Sequence, residues 1–417
     1  MKESLDRILS SVPDHGFFQG KTWRWSAQPL LLSQGEIAQI EALGSRLAVF
    51  QKASNTLYRR SVKGSAPSWV AEWLERGKPD EVIRLGQEGE SADAVPTLIR
   101  PDLMWTEDGF ALTEIDSVPG GSGLTAWMQQ VFTSEGHAVA GVPDMAQRLQ
   151  SYFKDFDILI SKEASDYQPE LTWLYGSDRV FPAEEYVWSG APVYRFFEMF
   201  DWMGLDRMRS GYSSGRRVDA PLKAFLEEKL WLALFWLKPL ERFWRQELGA
   251  RYFADLREVI PRSWALIPAE VPPIAEIPGL GIQNWQDLMD FSQKERDLVL
   301  KISGFSPHAW GSRGVVVGSD MSSTDWRTAV QSALDYSDRH PHLLQPFRKG
   351  RVIQHAYWDI ESGVERVMQG RVRLCPYFLA QGKRVELLGI QASICPADKK
   401  LIHGMEDAVM VPVALRV

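Results

Sequence analysis

Cysteine is scarce: Cys375 and Cys395 are the only two in 417 residues, and each precedes a proline in an apolar, strand-like run. Two such residues make no disulfide framework, and they read as buried thiols ahead of ligands or nucleophiles. The seven histidines show no His-Glu-x-x-His spacing, which disfavours a zinc hydrolase. No apolar run reaches the ~20 residues of a membrane span, and Met1-Lys2-Glu3-Ser4-Leu5-Asp6-Arg7 does not lead into a signal-peptide core. The expectation is a cytoplasmic protein without a membrane partner. Basic residues are not in excess either, since the net charge is −7, and nucleic acid is not an expected partner. Arg216-Arg217 and Arg348-Lys349-Gly350-Arg351 are local basic pieces that read equally well as solvated loops.

What remains is ordinary globular composition, 45% hydrophobic and 24% charged, on a chain long enough for two or three units with their own cores. The 17 tryptophans suit large cores or a cleft lining, with packing the default. Residues 1–95 are predicted to be mainly helical, because Glu36-Ile37-Ala38-Gln39-Ile40-Glu41-Ala42-Leu43 and Trp69-Val70-Ala71-Glu72-Trp73-Leu74 repeat apolar residues at helical spacing. They read as a scaffold or a cap and carry no chemistry of their own.

The most informative stretch runs from Arg100 to Asp116. Two strand-like flanks enclose Glu107-Asp108-Gly109, which is turn chemistry, so a β-hairpin is predicted. A turn centred on Asp108 places Asp102 opposite Glu114 and Arg100 opposite Asp116, with all four charges on one face. Leu103, Trp105, Ala111, Thr113 and Ile115 would form the packed face. Three carboxylates on one patch repel, and Arg100 alone does not neutralise them. A divalent cation would, and the hard oxygens favour Mg2+ or Mn2+ over zinc. The alternative is the polar face of an edge hairpin, and a register slip of one residue would scatter the cluster.

Downstream, Pro119-Gly120-Gly121-Ser122-Gly123 opens a helix-like run and either presents amide N–H groups to an anion or is a plain glycine turn. Asp157-Ile158-Leu159-Ile160, Leu171-Thr172-Trp173-Leu174 and Val193-Tyr194-Arg195-Phe196-Phe197 predict a small α/β layer. The segment from Pro221 to Leu240 is predicted helical, with Lys229 in apolar and aromatic surroundings, where it either binds or snorkels to water. Pro272 to Gly279 marks a loop or hinge. Lys301 on a predicted strand, followed by Gly311-Ser312-Arg313-Gly314 and a second apolar strand, is a plausible phosphate clamp, though not a Walker A motif. The remainder predicts an antiparallel sheet. Arg371 and Arg373 share one face of a strand, where they either meet one anion or decorate an exposed surface.

Together these parts resemble glutathionylspermidine synthase and its relatives, the circularly permuted ATP-grasp ligases. Arg100-x-Asp102 and Glu114-x-Asp116 are similar to that family's Arg-x-Asp and Glu-x-Asn elements, and the carboxylates precede the nucleotide-binding lysines, as in the family. The resemblance covers roughly residues 96–400. It implies a mixed α+β and α/β fold: a mainly helical region over 1–95, the carboxylate hairpin with a preATP-grasp-like α/β segment over 96–220, and a nucleotide-binding ATP-grasp region over 221–417. It further implies an ATP-dependent carboxylate-amine ligase that forms an amide through an acylphosphate, using ATP and Mg2+, with a small-molecule or peptide carboxylate and an amine as substrates. On this basis Asp102, Glu114 and Asp116 would hold Mg2+ and Arg100 would contact the transferring phosphoryl group. Lys229, Lys301, Gly311, Ser312 and Gly314 would engage the phosphates, Gln345 the adenine, and Arg371 or Arg373 the phosphates again. Asp116 stands where the family usually has Asn, and Pro119-Gly120-Gly121 replaces a Thr-rich continuation, so a different acceptor pocket is expected. Nothing pairs a Cys with a His as an amidase nucleophile. A nucleotide- or peptide-binding module without turnover is the competing reading, and a phosphotransferase is a third.

Overall fold

The structure, a computed structural model, describes residues 2–13, 16–17, 22–87, 92–213, 215–268, 276–309, 313–402 and 406–416. The chain forms two compact units, the first comprising Met1–Lys52, Glu88–Leu222 and Lys349–Val417, the second Ala53–Gln87 and Lys223–Arg348.

The first unit is built on a sheet of eight strands: β1 (Thr22–Arg24), β2 (Leu30–Leu32), β3 (Leu98–Thr106), β4 (Gly109–Asp116), β13 (Val352–Asp359), β14 (Val364–Gln381), β15 (Arg384–Pro396) and β16 (Glu406–Leu415). The order is β1-β16-β15-β14-β3-β4, with β13 added on β14 and β2 on β16. The antiparallel run expected at the C-terminal end is present, with β14 at its centre between β15 and the pair β3 and β13. The β14 register brings Pro101 of β3 level with Pro376, so two residues that lack an N–H fall in the same rungs of the ladder. One face of this sheet is apolar: Leu103, Leu112, Leu374 and Phe378 are fully buried. Gly44 of the helix Gln34–Val62 meets Phe378 so closely that a Cβ at Gly44 would lie 2.5 Å from its ring. The opposite face carries the charges described below.

The same unit holds a parallel four-stranded layer, ordered β6 (Val180–Pro182), β5 (Asp157–Ile160), β7 (Val193–Phe196) and β8 (Val218–Asp219). Its two central strands, β5 and β7, are short and almost wholly buried, as expected of a parallel sheet covered on both faces. Ile158 and Tyr194 share a core with Ala126, Leu149 and Leu171, and also with Tyr377 and Leu379 of β14. The α/β layer and the large sheet are thereby packed into one body.

The second unit contains an antiparallel sheet ordered β11 (Val315–Val317), β10 (Leu298–Ile302), β12 (His342–Pro346) and β9 (Trp264–Leu266). Leu298, Leu300, Leu344 and Leu266 point to one face and pack on Trp326, Val330 and Leu334 of the helix Ser323–Asp335. Alternation sends Val299, Lys301, Leu343 and Gln345 to the other face.

The helix expected from Pro221 to Leu240 is broken. Short turns occupy Ala224–Glu227, Leu230–Leu234 and Lys238–Leu240, separated by extended backbone at Glu228 and Leu237. Pro239 accounts for the second break, because it removes a donor. The first follows from Ser303, which takes over the bonds that open the Leu230 helix. Among the described residues no helix is long and apolar enough to cross a membrane.

Candidate functional site

The hairpin of β3 and β4 pairs Arg100 with Asp116 and Asp102 with Glu114, as expected, but reaches that register by another route. The turn holds only Glu107 and Asp108, and from it Thr106 pairs with Gly109 and Leu103 with Leu112. A bulge between Asp102 and Leu103 then leaves Thr113 as the extra residue, its hydroxyl donating to the Asp102 carbonyl at 3.1 Å. One added residue shifts the pairing by one and restores the charged pairs to a common face. It also corrects the expected packed face: Ala111 lies opposite Met104, on the charged side, and Leu112 takes its place beside Leu103.

Arg373 of β14 sits opposite Met104 and so joins the same face, with Arg371 two residues along. Arg100 Nη2 lies 2.8 Å from Asp116 Oδ2, Arg100 Nε lies 3.2 Å from Asp102 Oδ1, and Arg373 Nη1 donates to Asp102 Oδ2 at 3.1 Å. The surplus of negative charge expected from the hairpin alone is thus countered by a second arginine from a distant strand. Burial works against the charge on Arg100, but Asp102 and Asp116 override it and hold the guanidinium well above its ordinary pKa. Arg373 is raised too, because Asp102 outweighs its burial. Burial pushes Asp116 up despite the opposing pull of Arg100. The Cys375 thiol, 3.5 Å from Asp102 Oδ1, is pushed up to about 12 by burial and by that carboxylate. Both cysteines are free and buried.

Among the described residues, Nε of Arg371 and Arg373 and Oγ of Ser393, buried on this face, have no hydrogen-bond partner. Ser393 pairs with Arg373 in the β15 register, which puts it on the same face. Arg371 Nη1 donates to the Lys399 carbonyl at 3.4 Å. Among the described residues no three of His, Cys, Asp and Glu are grouped to hold a metal ion by themselves. Proteins bind Mg2+ with one or two carboxylates completed by water and nucleotide phosphate. Asp102 and Glu114, paired across the hairpin, are carboxylates of that donor chemistry.

The glycine-rich loop presents amides to a carboxyl group supplied by the protein itself. Glu170, fully buried in the helix Gln168–Tyr175, accepts from Gly121 N–H at 2.7 Å and from Leu124 N–H at 3.0 Å, at the start of the helix Ser122–Ser134. Gly121 has φ of +84°, which lets the chain turn into that helix. Burial pushes Glu170 up to about 7, against the two amide bonds and Arg100. The same loop is tied to the charged face, because the Gly120 carbonyl accepts from Arg100 Nη1 at 2.9 Å and from Tyr377 Oη at 2.6 Å. Glu170 and Tyr377 were not legible as site residues. No local pattern marks them, and their partners lie 49 and 257 residues away.

In the second unit the backbone at Lys229 is bonded to the segment that follows Lys301. Lys229 N–H donates to the Ser303 carbonyl at 3.0 Å, and Ser303 follows Lys301 by two residues. Lys229 Nζ donates to the Ala309 carbonyl at 2.7 Å. Lys301 and Gln345 lie on the same sheet face, Lys301 opposite Leu343 and Gln345 opposite Val299. Gln345 is buried and its Nε2 donates to Ser263 Oγ at 2.9 Å. The Gly314 carbonyl accepts from Ile302 N–H at 3.4 Å. Gly311 and Ser312 lie outside the described residues.

No protein-family model matches the chain, and no curated protein matches it in sequence. Among solved structures it is similar to a glutathione synthetase-like effector of Globodera pallida in its apo form, with a TM-score of 0.56 and 12% identity, covering 100% of this chain and 96% of that one. It also aligns with a candidate gamma-glutamylcysteine synthetase of Methylobacillus flagellatus, at a TM-score of 0.42 and 11% identity over 93% and 90% of the two chains. The mixed α/β architecture of this chain matches that of the effector at the level of the fold.

Proposed function

We propose that the chain is an ATP-dependent carboxylate-amine ligase of the glutathionylspermidine synthase-like, circularly permuted ATP-grasp type. The observation that carries this reading is the single sheet face on which Arg100, Arg371 and Arg373 stand among Asp102, Glu114 and Asp116. A binding surface for one small anion needs no facing carboxylates, whereas phosphoryl transfer to a carboxylate calls for both signs of charge: donors for the phosphoryl oxygens and hard oxygens for a cation.

In this reading Asp102, Glu114 and Asp116 would hold Mg2+, which when bound neutralises charge on the nucleotide phosphates. Arg100 and Arg371 contact the transferring phosphoryl group, Arg371 with its Nε, which has no hydrogen-bond partner among the described residues. Arg373 holds Asp102 in place. Lys229 and Lys301, with Gly311, Ser312 and Gly314, engage the nucleotide phosphates, and Gln345 the adenine. The substrate carboxylate attacks the γ-phosphorus and ADP leaves. The amine then displaces phosphate from the acylphosphate to give the amide. Little covalent chemistry falls to the protein, whose part is positioning and charge stabilisation. A well-aimed donor of this kind supplies on the order of 3 kcal/mol of transition-state stabilisation.

The test is ADP and phosphate release with Mg-ATP against a panel of amino acids, small peptides and polyamines, with mass spectrometry of the products. Release that requires both an acid and an amine, with a product lighter than their sum by one water, supports the ligase. ADP formation that continues without amine would make it a phosphotransferase. A second reading, a nucleotide- or peptide-binding module without turnover, is favoured by the ion pairs that Arg100 and Arg373 already make with Asp102. Tight nucleotide binding with no release on any pair would select it.

A further inference from the structure

Behind Lys229 lies a buried ion pair that the proposed chemistry does not use. Lys78 and Glu228 are in contact with only 2% and 1% of their side chains exposed, and Ser303 Oγ donates to the other Glu228 oxygen. Ser303 is itself fixed at both ends of its backbone, its N–H donating to the Pro341 carbonyl at 2.9 Å and its carbonyl accepting from Lys229 N–H at 3.0 Å. Its hydroxyl also accepts from Leu230 N–H at 2.9 Å, closing the start of the Leu230–Leu234 helix. Gly304 leaves room for the carboxylate, since a Cβ there would lie 2.9 Å from Glu228. A charged pair so fully removed from water is a poor source of stability compared with apolar residues of the same volume. What it supplies here is direction: Glu228 fixes the Ser303 hydroxyl, and Ser303 fixes the backbone of Lys229 two residues from Lys301.

We propose that Glu228, neutralised by Lys78, is a positioning residue that locks Lys229 and Lys301 onto one backbone anchor and so sets the spacing of their ammonium groups for a polyphosphate. The proposal deepens the nucleotide-binding reading of those two lysines and rests on it. Neither Glu228 nor Lys78 is assigned any contact with nucleotide. Their effect passes through Ser303.

The test compares Glu228→Ala, Glu228→Gln and the double variant Lys78→Gln/Glu228→Gln, with Val330→Ala in the packed core of the same unit as a stability control. Hydrogen exchange at the Lys229 and Leu230 amides is read first, without nucleotide, and the affinity for Mg-ATP second. Glu228→Ala is expected to speed exchange at those two amides at least tenfold and to weaken Mg-ATP at least tenfold. In turnover the loss falls on KM for ATP more than on kcat. The double variant, which keeps an acceptor for Ser303 and leaves no unpaired charge, is expected to recover most of both. Val330→Ala should lower the melting temperature without moving either. Unchanged exchange at Lys229 and Leu230 in a folded Glu228 variant, or an equal response to Val330→Ala, overturns the positioning role. If wild type itself binds no Mg-ATP, the nucleotide reading fails, and with it the purpose assigned to the lock. The exchange data then decide separately whether Glu228 holds Lys229.

Discussion

Replacing Glu170 by Gln isolates a pH dependence that the fold builds into the glycine loop. In the folded chain Glu170 is fully buried and titrates near 7, against an ordinary value of 4.5. The unfolded chain therefore gives up its proton near 4.5 while the folded chain keeps it until about 7. Across that window the folded state binds more protons, so stability falls as pH rises and levels off above about 7. The displacement corresponds to about 3.5 kcal/mol at ~1.4 kcal/mol per pKa unit, of which about 2.5 kcal/mol falls between pH 5 and pH 8. The amide of the Glu170→Gln variant cannot titrate. The variant also loses one acceptor for the Gly121 and Leu124 amides, but that penalty is the same at every pH. Urea unfolding at intervals from pH 5 to pH 8 should show the variant gaining about 2.5 kcal/mol relative to wild type over the range, whatever its offset at pH 5. A difference between the two proteins that stays flat from pH 5 to pH 8 would refute the assignment of a neutral-range proton to Glu170.

Arg373→Met leaves Asp102 buried with Arg100 as its remaining cation. The expected destabilisation is about 3 kcal/mol by chemical denaturation, and Asp102→Asn added to it should cost less than the sum of the two. Gly121→Ala places a Cβ 2.8 Å from Tyr377 Oη at a φ of +84°. It should lose about 2 kcal/mol, measured the same way, from backbone strain and displacement of Tyr377. Glu114→Gln should abolish Mg-ATP turnover while its circular dichroism and melting temperature stay near wild type. Near-normal turnover in that folded variant would defeat the metal assignment. Lys301→Ala, in the buried face of β10, should weaken Mg-ATP binding at least tenfold by calorimetry, and unchanged affinity would remove Lys301 from the nucleotide site.

The hairpin was legible because its pairing is local and its charges alternate, yet the reading reached Asp102 with Glu114 through a turn centre that the chain does not use. The bulge at Thr113 compensated. Bulges leave no fixed mark in composition, so Ala111 was assigned to the wrong face while the charged pairs came out right. The neutralising role of Arg373 lay beyond the sequence for a different reason, because its partner Asp102 is 271 residues away and nothing local sets the register of β14 on β3. Strands β10 and β12 were readable as short, mainly apolar runs. The break at Glu228 was not, since Leu230 to Leu240 has strong helical composition and the competing acceptor, Ser303, arrives from a strand 75 residues on. Likewise the glycine loop had the chemistry of an anion cradle, and its amides are taken up by the Glu170 carboxyl group from the same unit.

The central claim is that a substrate carboxylate takes the γ-phosphoryl group before the amine attacks. Once an acid and amine pair is found, the acid is labelled with heavy oxygen in its carboxylate and the phosphate released during turnover is weighed by mass spectrometry. Attack by the carboxylate followed by displacement of phosphate predicts one labelled oxygen in each phosphate formed. Unlabelled phosphate, released while the amide accumulates, would contradict the acylphosphate and with it the ligase mechanism.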